Sequence, residues 1–93
     1  MIITSFLEKL DDTIALGNSY GEMGNAYKST SNNEESIKYY EKAKQIFTSE
    51  EMNYALAQLL ILQSEIYLSM ADYKKTKDNL DKASKISEEF DVP

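Results

Sequence analysis

Four pairs of adjacent carboxylates are the residues of this sequence best suited to bind a metal ion or transfer a proton: Asp11-Asp12, Glu34-Glu35, Glu50-Glu51 and Glu88-Glu89. A two-metal site built on helices normally adds a histidine at Glu-x-x-His spacing, and the chain contains no histidine. Three of the pairs fall where helices are predicted to begin, and negative charge there favours the helix dipole. We therefore interpret the pairs as helix-start residues and expect no catalytic residue, no metal and no cofactor.

The composition narrows the classes of partner. Cysteine is absent, and all ten basic residues are lysine, so thiol chemistry and bidentate capture of phosphate by arginine are excluded. A net charge of −6 disfavours nucleic acid and anionic membranes. The N-terminus lacks the basic region of a signal peptide, and no apolar run is long enough to cross a bilayer. We expect a cytoplasmic protein whose partner is a protein or peptide.

The lysine-rich segment 74–85 resembles a basic patch at first sight. Its lysines and aspartates are spaced four residues apart, the distance at which side chains meet on a helix. The predicted pairs are Lys74–Asp78, Lys77–Asp81, Asp78–Lys82 and Asp81–Lys85. We interpret the segment as a solvated, internally paired helix face.

All three glycines fall in G-N-S-Y-G-E-M-G-N-A-Y, residues 17–27. Such a cluster can indicate a phosphate-binding loop, but the Gly-Lys-Ser/Thr ending of that loop is missing. Gly17, Gly21 and Gly24 instead share one face of a helix. Close contact between two helices is the favoured interpretation.

The spacing of apolar residues predicts helices and no strands. Five helices are expected, at about 3–10, 12–30, 33–48, 50–70 and 73–90. Short connections predict that neighbouring helices form antiparallel hairpins. The first boundary has an alternative, in which the first helix ends at Leu16, Gly17 caps it, and Ser19 opens the next.

Capping residues support the later boundaries. Asn32 with Glu35, and Thr48 with Glu51, have the spacing of a capping box. Asp72 is a suitable N-cap for the last helix.

The sequence overlays itself when it is shifted by forty residues. The matching positions include Ala15-Leu16 with Ala55-Leu56, Tyr27 with Tyr67, Lys42-Ala43 with Lys82-Ala83, and Ile46 with Ile86. A repeated helix hairpin predicts an all-α fold of the α-solenoid type.

The stretch M-G-N-A-Y…E-E-S-I-K-Y-Y-E-K-A, residues 23–43, resembles a tetratricopeptide repeat (TPR). The motif positions are taken by Tyr20, Met23-Gly24, Tyr27, Ser36, Tyr40 and Ala43, and in a weaker second copy by Leu60, Gln63-Ser64, Tyr67, Thr76, Leu80 and Ala83. Thr48 replaces the usual closing proline. The long period resembles the repeats of kinesin light chains and of peptide-responsive regulators in Gram-positive bacteria. The resemblance implies one domain over 1–93, with a leading helix at 3–10, repeat one at 12–48 and repeat two at 50–90.

In this family the first helix of each hairpin lines a concave, partner-facing groove. The resemblance assigns that lining to Asn18, Gly21, Asn25, Lys28, Gln58, Ile61, Glu65 and Leu68. Some members clamp a peptide carboxylate at these positions, but Glu65 replaces an asparagine and would repel it. Ile61 and Leu68 indicate an apolar groove instead.

The resemblance implies a protein- or peptide-binding scaffold module, and the lack of nucleophile–base candidates argues against an enzyme. The alternative is a self-association module, whose apolar groove is filled by a second copy of the chain. In either case we expect Ile61 and Leu68 to be contact residues, and Leu60 to be core.

Overall fold

The protein is a chain of four helices in the computed structural model, which describes residues 2–90 and their side chains from Glu8 onward. The helices are α1 (Ile2–Ser29), α2 (Asn33–Ser49), α3 (Asn53–Ser69) and α4 (Tyr73–Phe90). They pack in chain order: α1 on α2, α2 on α3, and α3 on α4. The all-α prediction is confirmed, and this packing is consistent with a TPR-like helical repeat. The number of helices was overestimated by one.

The predicted break after residue 10 is wrong, because α1 runs unbroken through Asp11-Asp12-Thr13. These three residues have only mildly unfavourable helix propensities, and none is a proline or a glycine. Thr13 Oγ1 donates a hydrogen bond to the carbonyl of Lys9 at 2.9 Å, which satisfies the hydroxyl inside the helix. The leading helix and the first helix of repeat one are therefore one element.

The alternative boundary at Gly17 is wrong for a different reason. A glycine that caps a helix end adopts a positive φ, and no glycine among the described residues does so. Gly17 lies inside α1, where it is buried against α2.

The three turns between helices share one backbone geometry. Each contains a non-glycine residue with positive φ: Ser31 at 62°, Glu51 at 53° and Ala71 at 60°. The residue after each donates its N–H to the carbonyl five residues back, at 2.9, 2.8 and 2.8 Å. This is the Schellman arrangement, normally completed by glycine. Because the residues at the positive-φ positions are not glycine, this arrangement could not be predicted from glycine placement in the sequence.

The predicted caps have mixed outcomes. Asp72 caps α4, since its Oδ1 accepts a hydrogen bond from the N–H of Lys75 at 3.2 Å. Asn32 is the N-cap residue of α2 but makes no side-chain capping bond. Its amide donates to Thr30 Oγ1 at 2.8 Å instead, so the capping box is not formed.

The helix predicted at 50–70 corresponds to α3, and its predicted start at residue 50 is also wrong. Thr48 lies within α2, and α3 begins at Asn53 with Met52 as its N-cap residue. Glu51 takes the positive-φ position of the turn, so it cannot serve as the third residue of a helix that begins after Thr48.

These boundaries also change the interpretation of the carboxylate pairs. Only Glu34-Glu35 lies in the first turn of a helix. Asp11-Asp12 lies within α1, and Glu50-Glu51 lies in the turn before α3. Within the part of the chain that the structure describes, no three acidic residues come together in a way that could hold a metal ion.

Two glycines of α1 allow α2 to approach closely. A Cβ atom at Gly24 would come within 2.5 Å of Tyr40 Cε1, and one at Gly17 would come within 2.8 Å of Ile46 Cγ2. No atom lies within 4 Å of a Cβ built at Gly21. Close packing therefore explains two of the three glycines, and the third leaves open space.

The core is centred on α2 and α3. Its buried members are Tyr40, Ala43, Phe47, Leu59 and Ile66. The hydroxyl of buried Ser36 donates to the Gly24 carbonyl at 2.7 Å, which joins α2 to α1 beside the tight contact of Gly24 with Tyr40.

A chain of polar side chains crosses from α2 through α3 to α4. Gln63, which is 1% exposed, donates from Nε2 to Glu41 Oε1 at 2.8 Å. Its Oε1 accepts a hydrogen bond from Asn79 Nδ2 at 2.8 Å. Lys44 also donates to Glu41, at 3.0 Å. These polar side chains therefore form hydrogen bonds with one another. Such pairing is what allows polar groups to be buried in a core.

Candidate functional site

A groove runs across the exposed faces of α1 and α3, where the resemblance places the partner-binding residues. Asn18, Gly21, Asn25 and Gln58 line one cavity of about 280 Å³ there. The open space at Gly21 is part of this cavity. We call the surface formed by the eight predicted residues the α1/α3 groove.

An ion pair spans one end of the α1/α3 groove. Lys28 Nζ on α1 lies 2.7 Å from Glu65 Oε2 on α3, and both side chains are partly exposed. Each charge thus has its counterion inside the groove. This lysine is already paired, so the groove offers little attraction for a free carboxylate.

The orientation of Asn25 is set by the core beneath it. Its Oδ1 accepts a hydrogen bond from the hydroxyl of Tyr40, a residue with no exposed surface. Burial raises the pKa of the Tyr40 hydroxyl, which therefore stays protonated and keeps its role as the donor. The amide NH₂ of Asn25 is left as a donor for a partner.

Apolar side chains form a strip along α3. Ile61 and Leu68 are 44% and 55% exposed, so both lie at the surface. Tyr54 is 51% exposed and lies seven residues before Ile61, which places it on the same helix face. Its hydroxyl accepts a hydrogen bond from Gln58 Nε2 at 2.9 Å.

Ile61, the middle residue of the apolar strip, borders a second cavity. Gln58, Ile61 and Leu62 line this space of about 350 Å³. Gln58 and Leu62 also line the first cavity, so the two spaces are neighbours along α3. The groove thus combines amide groups toward α1 with apolar side chains on α3.

The sequence-based prediction missed several residues that line the α1/α3 groove. Glu22 and Leu62 line the first cavity, four residues after Asn18 and Gln58 respectively. The forty-residue overlay places Glu22 on Leu62, so helical spacing applied to both copies could have found them. Tyr54 could have been found by stepping back one heptad from Ile61.

The α1–α2 hairpin matches a known family. Residues 17–48 match the family model of the tetratricopeptide repeat. This segment is a tetratricopeptide repeat. The TPR begins at Gly17, inside α1, and ends at Thr48, near the end of α2. No curated protein and no solved structure matches the chain significantly.

TPRs generally act as protein-interaction scaffolds, so the match supports that broad role for the chain. The closer likeness to kinesin-light-chain repeats stays a prediction, as does a second TPR over residues 50–90. Across residues 2–90, the structure contains no helix with the length and apolar character needed to cross a membrane.

Proposed function

We propose that residues 1–93 form one TPR-like domain of two repeats that binds a segment of another protein in the α1/α3 groove. The observation that carries this proposal is the strip of Tyr54, Ile61 and Leu68, each about half exposed, beside a cavity lined by asparagine and glutamine side chains. An exposed apolar strip rimmed by polar groups is typical of interaction sites. The TPR match supports the same role.

The groove favours a segment that presents apolar side chains to α3 and backbone groups to the amides of α1. Asn25 and Gln58 can exchange hydrogen bonds with a peptide backbone, whereas Ile61 and Leu68 supply apolar contact. The Lys28–Glu65 pair and the carboxylate of Glu22 give no net positive charge to hold a C-terminus. We therefore expect amidation of a bound peptide's C-terminus to leave its affinity unchanged.

The test uses peptides selected from a random display library on the wild-type protein. Affinity is measured by calorimetry for wild type and for the double variant Ile61→Asp, Leu68→Asp. Burial of each apolar side chain contributes roughly 1.5–3 kcal/mol, so the double variant should stay folded and lose several kcal/mol of binding. Light scattering of each protein alone reports self-association.

Two control variants make the result specific. Leu80→Asp changes a side chain that is 45% exposed on α4, outside the groove, and should leave binding intact. Leu60→Asp changes a side chain that is 2% exposed and should unfold the domain. If the double variant melts as early as Leu60→Asp, the strip is core and the proposal fails.

Self-association is distinguished by the same measurements. A wild-type dimer that becomes monomeric in the double variant would make a second copy the occupant of the groove. A monomeric wild type that loses its selected peptides in the double variant supports a separate partner. A folded double variant with unchanged association would place the contact surface elsewhere.

A further inference from the structure

A second groove lies between α2 and α4, with α3 as its floor. Its volume is about 300 Å³, and it shares no residue with the α1/α3 groove. The lining residues are Lys44, Thr48, Leu56, Leu60, Lys82, Lys85, Ile86 and Glu89. We call it the α2/α4 groove.

The charge of the α2/α4 groove is opposite to that of the protein. Three of the ten lysines border it, beside the single carboxylate of Glu89, although the net charge of the chain is −6. Lys44 is bonded to Glu41 on its own helix. The other two lysines, Lys82 and Lys85, come from successive turns of α4.

The predicted ion pairs of Lys82 and Lys85 are not formed. Among residues Glu8–Phe90, neither ammonium lies within 4 Å of a carboxylate. Asp81, the predicted partner of both Lys77 and Lys85, accepts a hydrogen bond from Lys77 at 2.6 Å, so only the first of these two predicted pairs is formed. Neither lysine is therefore held in an ion pair at the rim of the groove, although Lys82 acts electrostatically on Glu41 and both lie near carboxylates on the outer surface of α4.

The floor of the groove is apolar. Leu60 is 2% exposed, and Leu56 and Ile86 are half-buried on either side of it. Apolar floors with a few polar groups are typical of small-molecule sites, and the volume lies at the lower end of their range. A ligand that matches both features has an anionic head and a short apolar tail.

We propose that the α2/α4 groove binds a small alkyl carboxylate. Its carboxylate lies between the ammonium groups of Lys82 and Lys85, and its chain covers Leu56, Leu60 and Ile86. Lysines act as separate point charges, so two of them at the rim hold one carboxylate without the planar fork that arginine supplies. The end of a peptide that finishes in leucine has the same chemistry, and the test separates these two sources.

The probe is octanoate, titrated below its critical micelle concentration against the ¹⁵N-labelled full chain. The expected amide shifts lie at Leu56, Leu60, Lys82, Lys85 and Ile86. Affinity should rise up to roughly fourfold per added methylene from hexanoate to octanoate, because each buried methylene contributes that factor. Octan-1-ol and octyltrimethylammonium should bind at least about tenfold more weakly, since a charge-assisted hydrogen bond is lost.

Matched variants test the role of the two lysines. Lys82→Gln with Lys85→Gln should weaken octanoate binding about tenfold or more. Lys9→Gln with Lys74→Gln removes the same net charge at two exposed positions outside the groove and should change affinity less than about twofold. Both double variants should retain the wild-type melting curve, because all four lysines are exposed.

Three results would overturn the proposal. If octan-1-ol binds as tightly as octanoate, the carboxylate contributes nothing to the affinity. Equal loss of octanoate affinity in the two double variants would show that only the net charge of the protein matters, and not the position of Lys82 and Lys85. Tighter binding of N-acetyl-leucyl-leucine than of octanoate would make the occupant a peptide terminus and not a free alkyl acid.

Discussion

The two hairpins have the same turns but different interiors. The residue after the positive-φ position is Asn32 in the first hairpin and Asp72 in the second. In both turns its N–H donates to the carbonyl five residues back, and its carbonyl accepts the first backbone hydrogen bond of the next helix. Tyr40 on α2 and Leu80 on α4 are equivalent in the forty-residue overlay. Tyr40 is fully buried, whereas Leu80 is 45% exposed.

The number of neighbouring helices explains this difference. Within residues 2–90, α2 packs against both α1 and α3, but α4 packs closely against α3 alone. The face of α4 that carries Leu80 is therefore exposed to solvent, whereas the equivalent face of α2, which carries Tyr40, is buried in the core. Equivalent positions in a repeat thus have equivalent backbone geometry but not equivalent burial, because burial is set by the adjacent helix.

The helix contact inside each hairpin differs as well. In the first hairpin, Gly24 lets the ring of Tyr40 lie against the backbone of α1. The second hairpin has Ser64 and Leu80 at these positions, and Ser64 bonds within its own helix to the Ile61 carbonyl at 2.6 Å. The first hairpin depends on a close fit that the second does not use.

The largest expected effect comes from truncating the two equivalent side chains. Tyr40→Ala should lower the free energy of unfolding by about 3–5 kcal/mol, because it leaves a cavity between α1, α2 and α3. Leu80→Ala should cost less than about 1 kcal/mol, since half of the side chain is already in water. Urea unfolding followed by circular dichroism measures both. Similar losses in the two variants would contradict the explanation by neighbouring helices.

A pair of glycine substitutions tests the close fit. Gly24→Ala and Gly21→Ala gain the same helix propensity, about 1 kcal/mol. Only Gly24→Ala also forces the Tyr40 ring to move, at a cost of about 1–3 kcal/mol.

Thermal melts should therefore show Gly21→Ala above wild type and Gly24→Ala below Gly21→Ala. Equal melting temperatures would mean that the contact between α1 and α2 adapts without cost. The comparison needs no correction for propensity, because both positions lie inside α1.

A third pair of substitutions compares Gln63 with Met23, the residue at the equivalent position in the forty-residue overlay. Gln63→Met removes hydrogen bonds to Glu41 and Asn79 and should cost about 1–3 kcal/mol. Met23→Gln adds an amide at a side chain that is 39% exposed and should be nearly neutral. Chemical denaturation of both variants measures the difference, and a neutral Gln63→Met would show that the polar chain adds no stability.

The smallest expected effect is on the pH dependence. Burial raises the pKa of Glu41, but hydrogen bonds from Gln63 and Lys44 outweigh it and hold the pKa below the ordinary value of 4.5. A lowered pKa in the folded state stabilises the protein at neutral pH, and this contribution is lost as the pH falls from 4.5 through the folded pKa. The size should stay below about 1 kcal/mol, because the carboxylate is partly exposed.

Gln63→Met should weaken this dependence, because it removes one of the bonds that lower the pKa. The stability gap between wild type and Gln63→Met should therefore narrow in acid. Glu41→Gln serves as the control without a titrating group. A gap that is constant from neutral pH to below 4.5 would argue against a role for Glu41 in acid stability.

The sequence predicted the helical class and the presence of a tetratricopeptide repeat correctly, for identifiable reasons. Apolar residues recur at helical spacing, and Tyr20, Gly24, Tyr27 and Ala43, the residues that suggested the motif, all lie within the segment that the family model matches. The helix boundaries were less predictable. Asp11-Asp12-Thr13 has the composition of a turn, but its residues tolerate a helix when apolar residues continue the pattern on both sides.

For the candidate site, the sequence indicated exposed positions but not contacts. The spacing on α1 and α3 suggested which faces are shared, yet the Lys28–Glu65 pair joins residues that lie far apart in the chain. Spacing within α4 suggested partners for Lys82 and Lys85 that the structure does not form. Side-chain pairing at a surface depends on competing partners that local spacing does not specify.

The amino-acid sequence by itself determined that this chain forms helices joined by short turns, because helix formation depends on local spacing and on residues a few positions apart. Only the tertiary structure decided which equivalent positions are buried, which glycines are required, and where two separate grooves lie. Those properties depend on which helices are adjacent: in the described part of the chain, α1 and α3 pack against α2, whereas α3 alone packs closely against α4. A forty-residue repeat specifies the unit, whereas the order of packing gives each copy its own surface.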